Sequence, residues 1–145
     1  MLTIHFPEHN FRIKKEKNRH SIFDEVRRRW VALTPEEWVR QNFLQYLMQV
    51  KKYPASLISV EKIIKVGELA KRYDIVVYNK NNPWLIVECK ESNTVIDAKV
   101  IEQVMRYNMA LAISYFVITN GNKSFCYAIT GHSFYELSDL PGLYF

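Results

Sequence analysis

Apolar residues recur at helical spacing in two stretches of the chain and at strand spacing in the segments around them. The first helix is well punctuated: Thr34 suits the N-cap, Pro35 the first helical position, and Glu36 and Glu37 the positive pole of the first turn. It runs to about Lys52, where Tyr53-Pro54 ends it. At about 100° per residue, Val39, Phe43, Tyr46, Leu47 and Val50 form one apolar stripe, with Glu36 inside it and Glu37 at its edge. A second helix is predicted from about Ile96 to Ala112, with Val100, Val104 and Leu111 at helical spacing.

Strand patterns cover Leu57 to Lys65, Tyr73 to Asn79, Trp84 to Lys90, Tyr115 to Thr119 and Phe125 to Ile129. Turn-rich Asn79-Lys80-Asn81-Asn82-Pro83 joins two of them into a hairpin, and Asn120-Gly121 makes another turn. Near the start, FRIKKEKNRH reads as an edge strand with a charged turn. A hairpin, a crossover helix and a further strand predict an α/β domain: a mixed β-sheet flanked by helices. The expected divisions are a basic extension over 1–33 packed on the core, a main domain over 34–137 and a tail over 138–145. That tail closes the aromatic-rich FYELSDLPGLYF, which has two available docking places, the core or a second protomer.

Length and composition narrow the class. At 145 residues with 48% hydrophobic residues and only four glycines and five prolines, the chain can build one core unaided, which excludes disorder. Two cysteines, Cys89 and Cys126, are too few for a zinc site or a disulfide framework, and the histidines His5, His9, His20 and His132 lack ligand spacing. The start lacks a signal-peptide core and no stretch is long enough to span a bilayer, so a cytoplasmic protein with no membrane partner is expected. The net charge is +5, with eight of the 20 basic residues and four of the 15 acidic ones falling before Thr34. Such an excess favours a polyanionic partner.

The chemistry is concentrated in the Asn79–Pro83 hairpin. With the turn symmetric about Asn81, Asp74 faces Glu88, and directly opposed like charges destabilise a sheet unless something neutralises them. Side-chain alternation places Lys90 on the face of Glu88 and sends Cys89 to the other. Two carboxylates and an ammonium would thus converge at one strand end. Two oxygen donors suit Mg²⁺, which takes one or two carboxylates and keeps several waters, and a lysine beside it can orient an attacking water. The alternative is a solvated ion cluster at a sheet edge.

Asp74 followed by Glu88-Cys89-Lys90 is similar to the Asp…Glu-x-Lys signature of the PD-(D/E)XK nuclease superfamily. The phrases IFDEVRRRWVALTPEEWVRQNFLQYL, KRYDIVVY, WLIVECK, EQVMRYN and FVITNG, in that order, resemble the N-terminal endonuclease domain of type I restriction enzyme motor subunits, particularly small stand-alone relatives. The resemblance covers roughly residues 11 to 136. It implies a restriction-endonuclease-like core and a Mg²⁺-dependent DNA endonuclease, with Mn²⁺ as a substitute. It further implies that Asp74 and Glu88 bind the metal, that the Cys89 backbone carbonyl completes the coordination, and that Lys90 positions or activates the water. The family's helix acid falls on Glu36 or Glu37, with spacing favouring Glu36. Gln103 and Tyr107 match its Gln-x-x-x-Tyr element. Tyr73 stands where relatives often carry a small residue, and Glu91-Ser92-Asn93 replaces the usual run after the lysine, which bears on the shape of the DNA channel.

Arg27, Arg28 and Arg29, together with Lys14, Lys15 and Lys17, are candidate phosphate contacts, and Lys71 and Arg72 are candidates nearer the acids. Arg40, beside the helix acids, reads instead as an internal partner for Glu36 or Glu37. The expected partners are DNA, the helicase, methylase or specificity subunits of a restriction system, and a second copy of the chain. A catalytically weak nuclease-like module, binding DNA or a partner in a restriction or defence assembly, is the runner-up reading.

Overall fold

The computed structural model describes residues 1–143. Near the N-terminus, β1 (Ile13–Glu16), β2 (Arg19–Asp24) and β3 (Arg29–Ala32) form a three-stranded antiparallel sheet. Helix α1 (Pro35–Gln45) follows. The main sheet then takes β4 (Ile58–Val66), β5 (Leu69–Asn79) and β6 (Asn82–Cys89), helix α2 (Ala98–Asn108), and finally β7 (Tyr115–Thr119), β8 (Ser124–Thr130) and β9 (Ser133–Leu137). Its six strands lie in chain order, with β6 and β7 parallel and every other neighbouring pair antiparallel. The parallel pair requires a crossover, and α2 supplies it. This is the expected α/β architecture.

Two apolar layers hold the helices on opposite faces. Val39, Phe43 and Leu47 of the α1 segment pack with Ile75, Val77, Leu85 and Val87. On the other face, Ile101 and Met105 of α2 pack with Val76, Ile86, Phe116 and Ile118. The central strands are therefore buried on both faces, and they read in sequence as continuous apolar runs.

The Thr34 hydroxyl accepts the N–H of Glu37 at 3.0 Å and Pro35 opens α1, as the sequence predicts. The helix then relaxes into a π-helical turn over Tyr46–Val50, where the Lys51 N–H bonds the Tyr46 carbonyl at 3.1 Å. A π turn advances fewer degrees per residue than an α turn. Val50 consequently leaves the apolar stripe to which regular periodicity assigns it and stands 48% exposed.

The β5–β6 turn is tighter than the five-residue turn expected. Lys80 (φ 51°) and Asn81 (φ 65°) make a two-residue connection with both residues left-handed, the geometry that matches strand twist. Pro83 falls inside β6 opposite Tyr78, and a bulge at Val77/Tyr78 absorbs the offset. Beyond the bulge the pairs are Val77 with Leu85, Val76 with Ile86 and Ile75 with Val87, the register the symmetric turn predicts. Of the aromatic tail, Tyr53 anchors one segment by donating to the Pro141 carbonyl at 2.6 Å, and Leu140 is buried. Tyr144 and Phe145 lie outside the described residues.

Candidate active site

Backbone pairing between β5 and β6 stops at Ile75 and Val87, one step short of the two acids. There the Asp74 carboxylate takes over: its Oδ2 accepts the Cys89 N–H at 2.8 Å, and its Oδ1 accepts from Arg40 Nη1 at 2.9 Å. On the neighbouring strand, the Lys90 N–H bonds the Thr119 carbonyl at 2.8 Å, continuing the β6–β7 ladder past Cys89. The lysine's backbone is thus fixed by β7, and the two acids by the hairpin.

Glu88 is the most perturbed acid. Burial, and after it the charge of Asp74, push its carboxyl up to about 7, with Lys71 and Lys90 partly offsetting the rise and Glu36 adding to it. Its Oε1 is buried and has no hydrogen-bond partner among the described residues. An orphaned carboxylate oxygen of this kind is costly and therefore informative. Glu36 lies in the same field. Although its side chain reaches solvent, partial desolvation raises its carboxyl, Asp74 raises it further through charge and a carboxyl–carboxyl contact, and Arg40 and Lys90 pull it back.

The adjacent glutamate belongs to a different assembly. Glu37 is buried, and its carboxylate accepts from Arg27 at 2.8 Å and from Arg40 at 2.6 and 2.9 Å. Burial opposes its ionisation, but those hydrogen bonds outweigh burial and lower its pKa. Helical periodicity places Glu36 within the buried stripe and Glu37 at the edge; the structure reverses that, leaving Glu36 exposed and Glu37 inside. The reason is the three-stranded sheet, which packs beside α1 and delivers Arg27 and fully buried Asp24 to that flank.

The other predicted residues are dispersed. Arg27 is committed to Asp24, Glu37 and Glu61, so its guanidinium is engaged internally and turned away from phosphate contact. Arg28, Arg29 and Arg72 are exposed. Lys71 lies between the rings of Tyr73 and Tyr107, 4.9 Å from each centroid, and its charge reaches Glu88. Tyr107 thus meets the site through Lys71, whereas Gln103 is exposed and makes no hydrogen bond to the acids among the described residues. Cys89 is buried in the α1-side core with its thiol pushed well above the usual range by burial, which leaves its backbone carbonyl as its only available donor to a metal.

Asp24, Gln41 and Glu61 have no role in the sequence reading, yet they complete the arginine network. Gln41 donates to Asp24 at 2.9 Å, and Glu61 holds Arg27 at 3.2 Å from a left-handed backbone (φ 54°). The available signal was the acid-arginine run DEVRRR ahead of an acidic helix start.

Among the described residues, no three His, Cys, Asp or Glu side chains converge at metal-ligating spacing. Two carboxylates and a carbonyl nevertheless match what Mg²⁺ takes while keeping its waters, and the orphaned Glu88 oxygen supplies an unused donor. A cleft of about 450 Å³ opens over the arginine network at the start of α1, lined by Arg27, Arg29, Glu36, Glu37, Arg40 and Glu61; Asp74 and Glu88 do not line it. A larger one, about 700 Å³, lies by the β5–β6 turn, and no acidic residue lines it.

A mixed sheet between two helices, carrying acids where its central hairpin splays, is a restriction-endonuclease-like architecture. Residues 35–141 match the family model of the type I restriction enzyme R protein N terminus, and the chain belongs to that family. It is accordingly a nuclease-like module of a restriction system. No curated protein matches it. Among the described residues, no helix is long and apolar enough to cross a membrane.

Proposed function

We propose that the chain is a Mg²⁺-dependent DNA endonuclease of the PD-(D/E)XK type, with Mn²⁺ able to substitute. The observation that carries this reading is the buried, unpartnered Glu88 oxygen beside Asp74, flanked by the charges of Lys71 and Lys90. Asp74, Glu88 and the Cys89 carbonyl would hold the metal, which when bound supplies Lewis-acid polarisation of the phosphoryl oxygen. Lys90 would orient the attacking water. Glu36, its carboxyl lifted by partial desolvation and by Asp74, would take that water's proton. Attack forms the new P–O bond as the P–O3′ bond breaks, and the departing 3′ oxygen takes a proton from solvent water, leaving a 5′-phosphate and a 3′-hydroxyl. Lys71, braced by Tyr73 and Tyr107, adds a positive charge to the approach, and Arg72, Arg28 and Arg29 meet neighbouring phosphates.

One observation favours the second reading, a catalytically weak module that docks DNA or the helicase, methylase or specificity subunits of a restriction enzyme. Both Asp74 oxygens are already occupied, one by Arg40 and one by the Cys89 N–H.

Supercoiled, linear and single-stranded DNA incubated with Mg²⁺ or Mn²⁺ discriminates the two. The nuclease reading expects cleavage by the wild type, lowered about 10²- to 10⁴-fold in Lys90→Ala and abolished in Asp74→Ala. Cleavage surviving in both variants would remove the assigned site, and intact binding with no cleavage of any substrate would establish the module.

A further inference from the structure

The three-stranded sheet lies before the family-matched region, which begins at residue 35. Strand alternation divides its residues cleanly. One face turns inward with Ile22 and Asp24, both fully buried. The register places Arg12, Lys14, Arg19, Phe23 and Trp30 together on the opposite, outward face.

These side chains are organised with respect to one another. Phe23 and Trp30, directly paired across β2 and β3, meet edge to face with centroids 5.5 Å apart. The Arg12 guanidinium lies 4.6 Å from the Phe23 centroid and 5.4 Å from that of Trp30, and Lys14 Nζ lies 4.5 Å from Trp30. Both rings remain partly exposed. The acid on this face, Glu16, sits at the hairpin end, 3.6 Å from Lys14.

A buried core would explain rings on a sheet face, and a solvated edge would explain cations. An open face that interleaves the two fits neither. Cations track a phosphate backbone and exposed rings stack bases, and that combination on an open sheet is the chemistry of single-strand recognition. Holding the cations against the rings also reduces the side-chain entropy that binding would otherwise cost. Duplex DNA would use the cations alone, because its bases are already stacked.

We propose that this outward face binds a single-stranded stretch of DNA, with Arg12, Lys14 and Arg19 on the phosphates and a base against the Phe23–Trp30 pair. The site is separate from the carboxylates and does not require that they cut.

The test uses the full chain in EDTA with a fluorescein-labelled oligothymidylate of about 12 nucleotides, a length within the usual single-strand site range. Affinity is read by anisotropy at two salt concentrations, with a duplex of equal length alongside. Arg12→Ala/Lys14→Ala is expected to weaken binding about tenfold or more and flatten its salt dependence. Trp30→Ala should cost about tenfold, and Trp30→Phe, which keeps a ring, much less. Wild-type tryptophan emission should quench on binding, and the quench should shrink in Trp30→Phe even if Trp30→Ala proves too unstable to assay. Unchanged affinity in the double variant, or equal duplex binding with no quench, would overturn the proposal. With no divalent ion present, the result is independent of cleavage: a wild type that binds this strand but never cuts DNA removes only the nuclease reading.

Discussion

On one flank of the first turn of α1, Asp24, Glu37 and Glu61 meet Arg27 and Arg40; on the other, Glu36, Asp74 and Glu88 share Lys71, Lys90 and the remaining reach of Arg40. Both groups are rich in acid and partly buried. In the first, guanidinium forks satisfy the carboxylates directly, and Asp24 and Glu37 are held below their ordinary pKa despite burial. In the second, Glu36 and Glu88 are held above it. Saturated charge therefore marks the scaffold, and under-satisfied charge marks the place where an added cation has something to gain.

The comparison is most severely tested at Arg40, the residue common to both flanks. Arg40→Ala should lower unfolding free energy by about 3–5 kcal/mol in urea titrations, because buried Glu37 keeps only Arg27 as a charged partner and Asp74 loses its guanidinium. A loss under about 1 kcal/mol, the scale of an exposed ion pair, would show that the scaffold network is not saturated in solution.

Removing charge at Glu88 should have the opposite sign. Its folded pKa of about 7 lies above the ordinary 4.5, so the folded form favours the neutral acid. The stability conferred by that neutral carboxyl is complete below about pH 4.5 and is lost as pH rises through about 7. Glu88→Gln should accordingly raise Tm at pH 8 by roughly 5 °C and leave it unchanged near pH 4. Metal binding should release a proton across the same interval, measurable as a buffer-dependent heat of Mg²⁺ binding. A Tm that falls at pH 8 would mean that the wild-type carboxylate has a partner.

The mildest test concerns the shared turn. Thr34→Ala deletes the hydroxyl that accepts the Glu37 N–H and should cost about 1 kcal/mol in thermal or urea unfolding. Because Glu36 and Glu37 ride on this turn, the loss should be smaller in Thr34→Ser, which retains the hydroxyl.

What could be read in advance follows from where the information is local. The register as far as Ile75 and Val87, one step short of Asp74 and Glu88, came from a turn and two apolar runs contained in one hairpin, and the bulge at Tyr78 compensated for a loop two residues long where five were expected. The cap of α1 was likewise local. The fates of Glu36 and Glu37 were not, since a helical wheel ranks faces by the helix's own residues and the partner that buries Glu37 comes from the loop before β3. Strands β3 and β9, short and carrying few buried positions, lacked the alternation that reveals a strand. The first half of β5 was obscured by the charges and small residues of Leu69 to Arg72.

The parallel pairing of β6 with β7 also imposes an order on assembly. Asp74 and Glu88 come together on closing a two-residue turn, whereas the backbone of Lys90 is fixed only when β7 returns after α2, with Leu85 aligned on Tyr115. Chain closure over the longer span is slower and entropically costlier. The hairpin that carries both acids is therefore a local contact, whereas the placement of the lysine's backbone depends on the long crossover through α2.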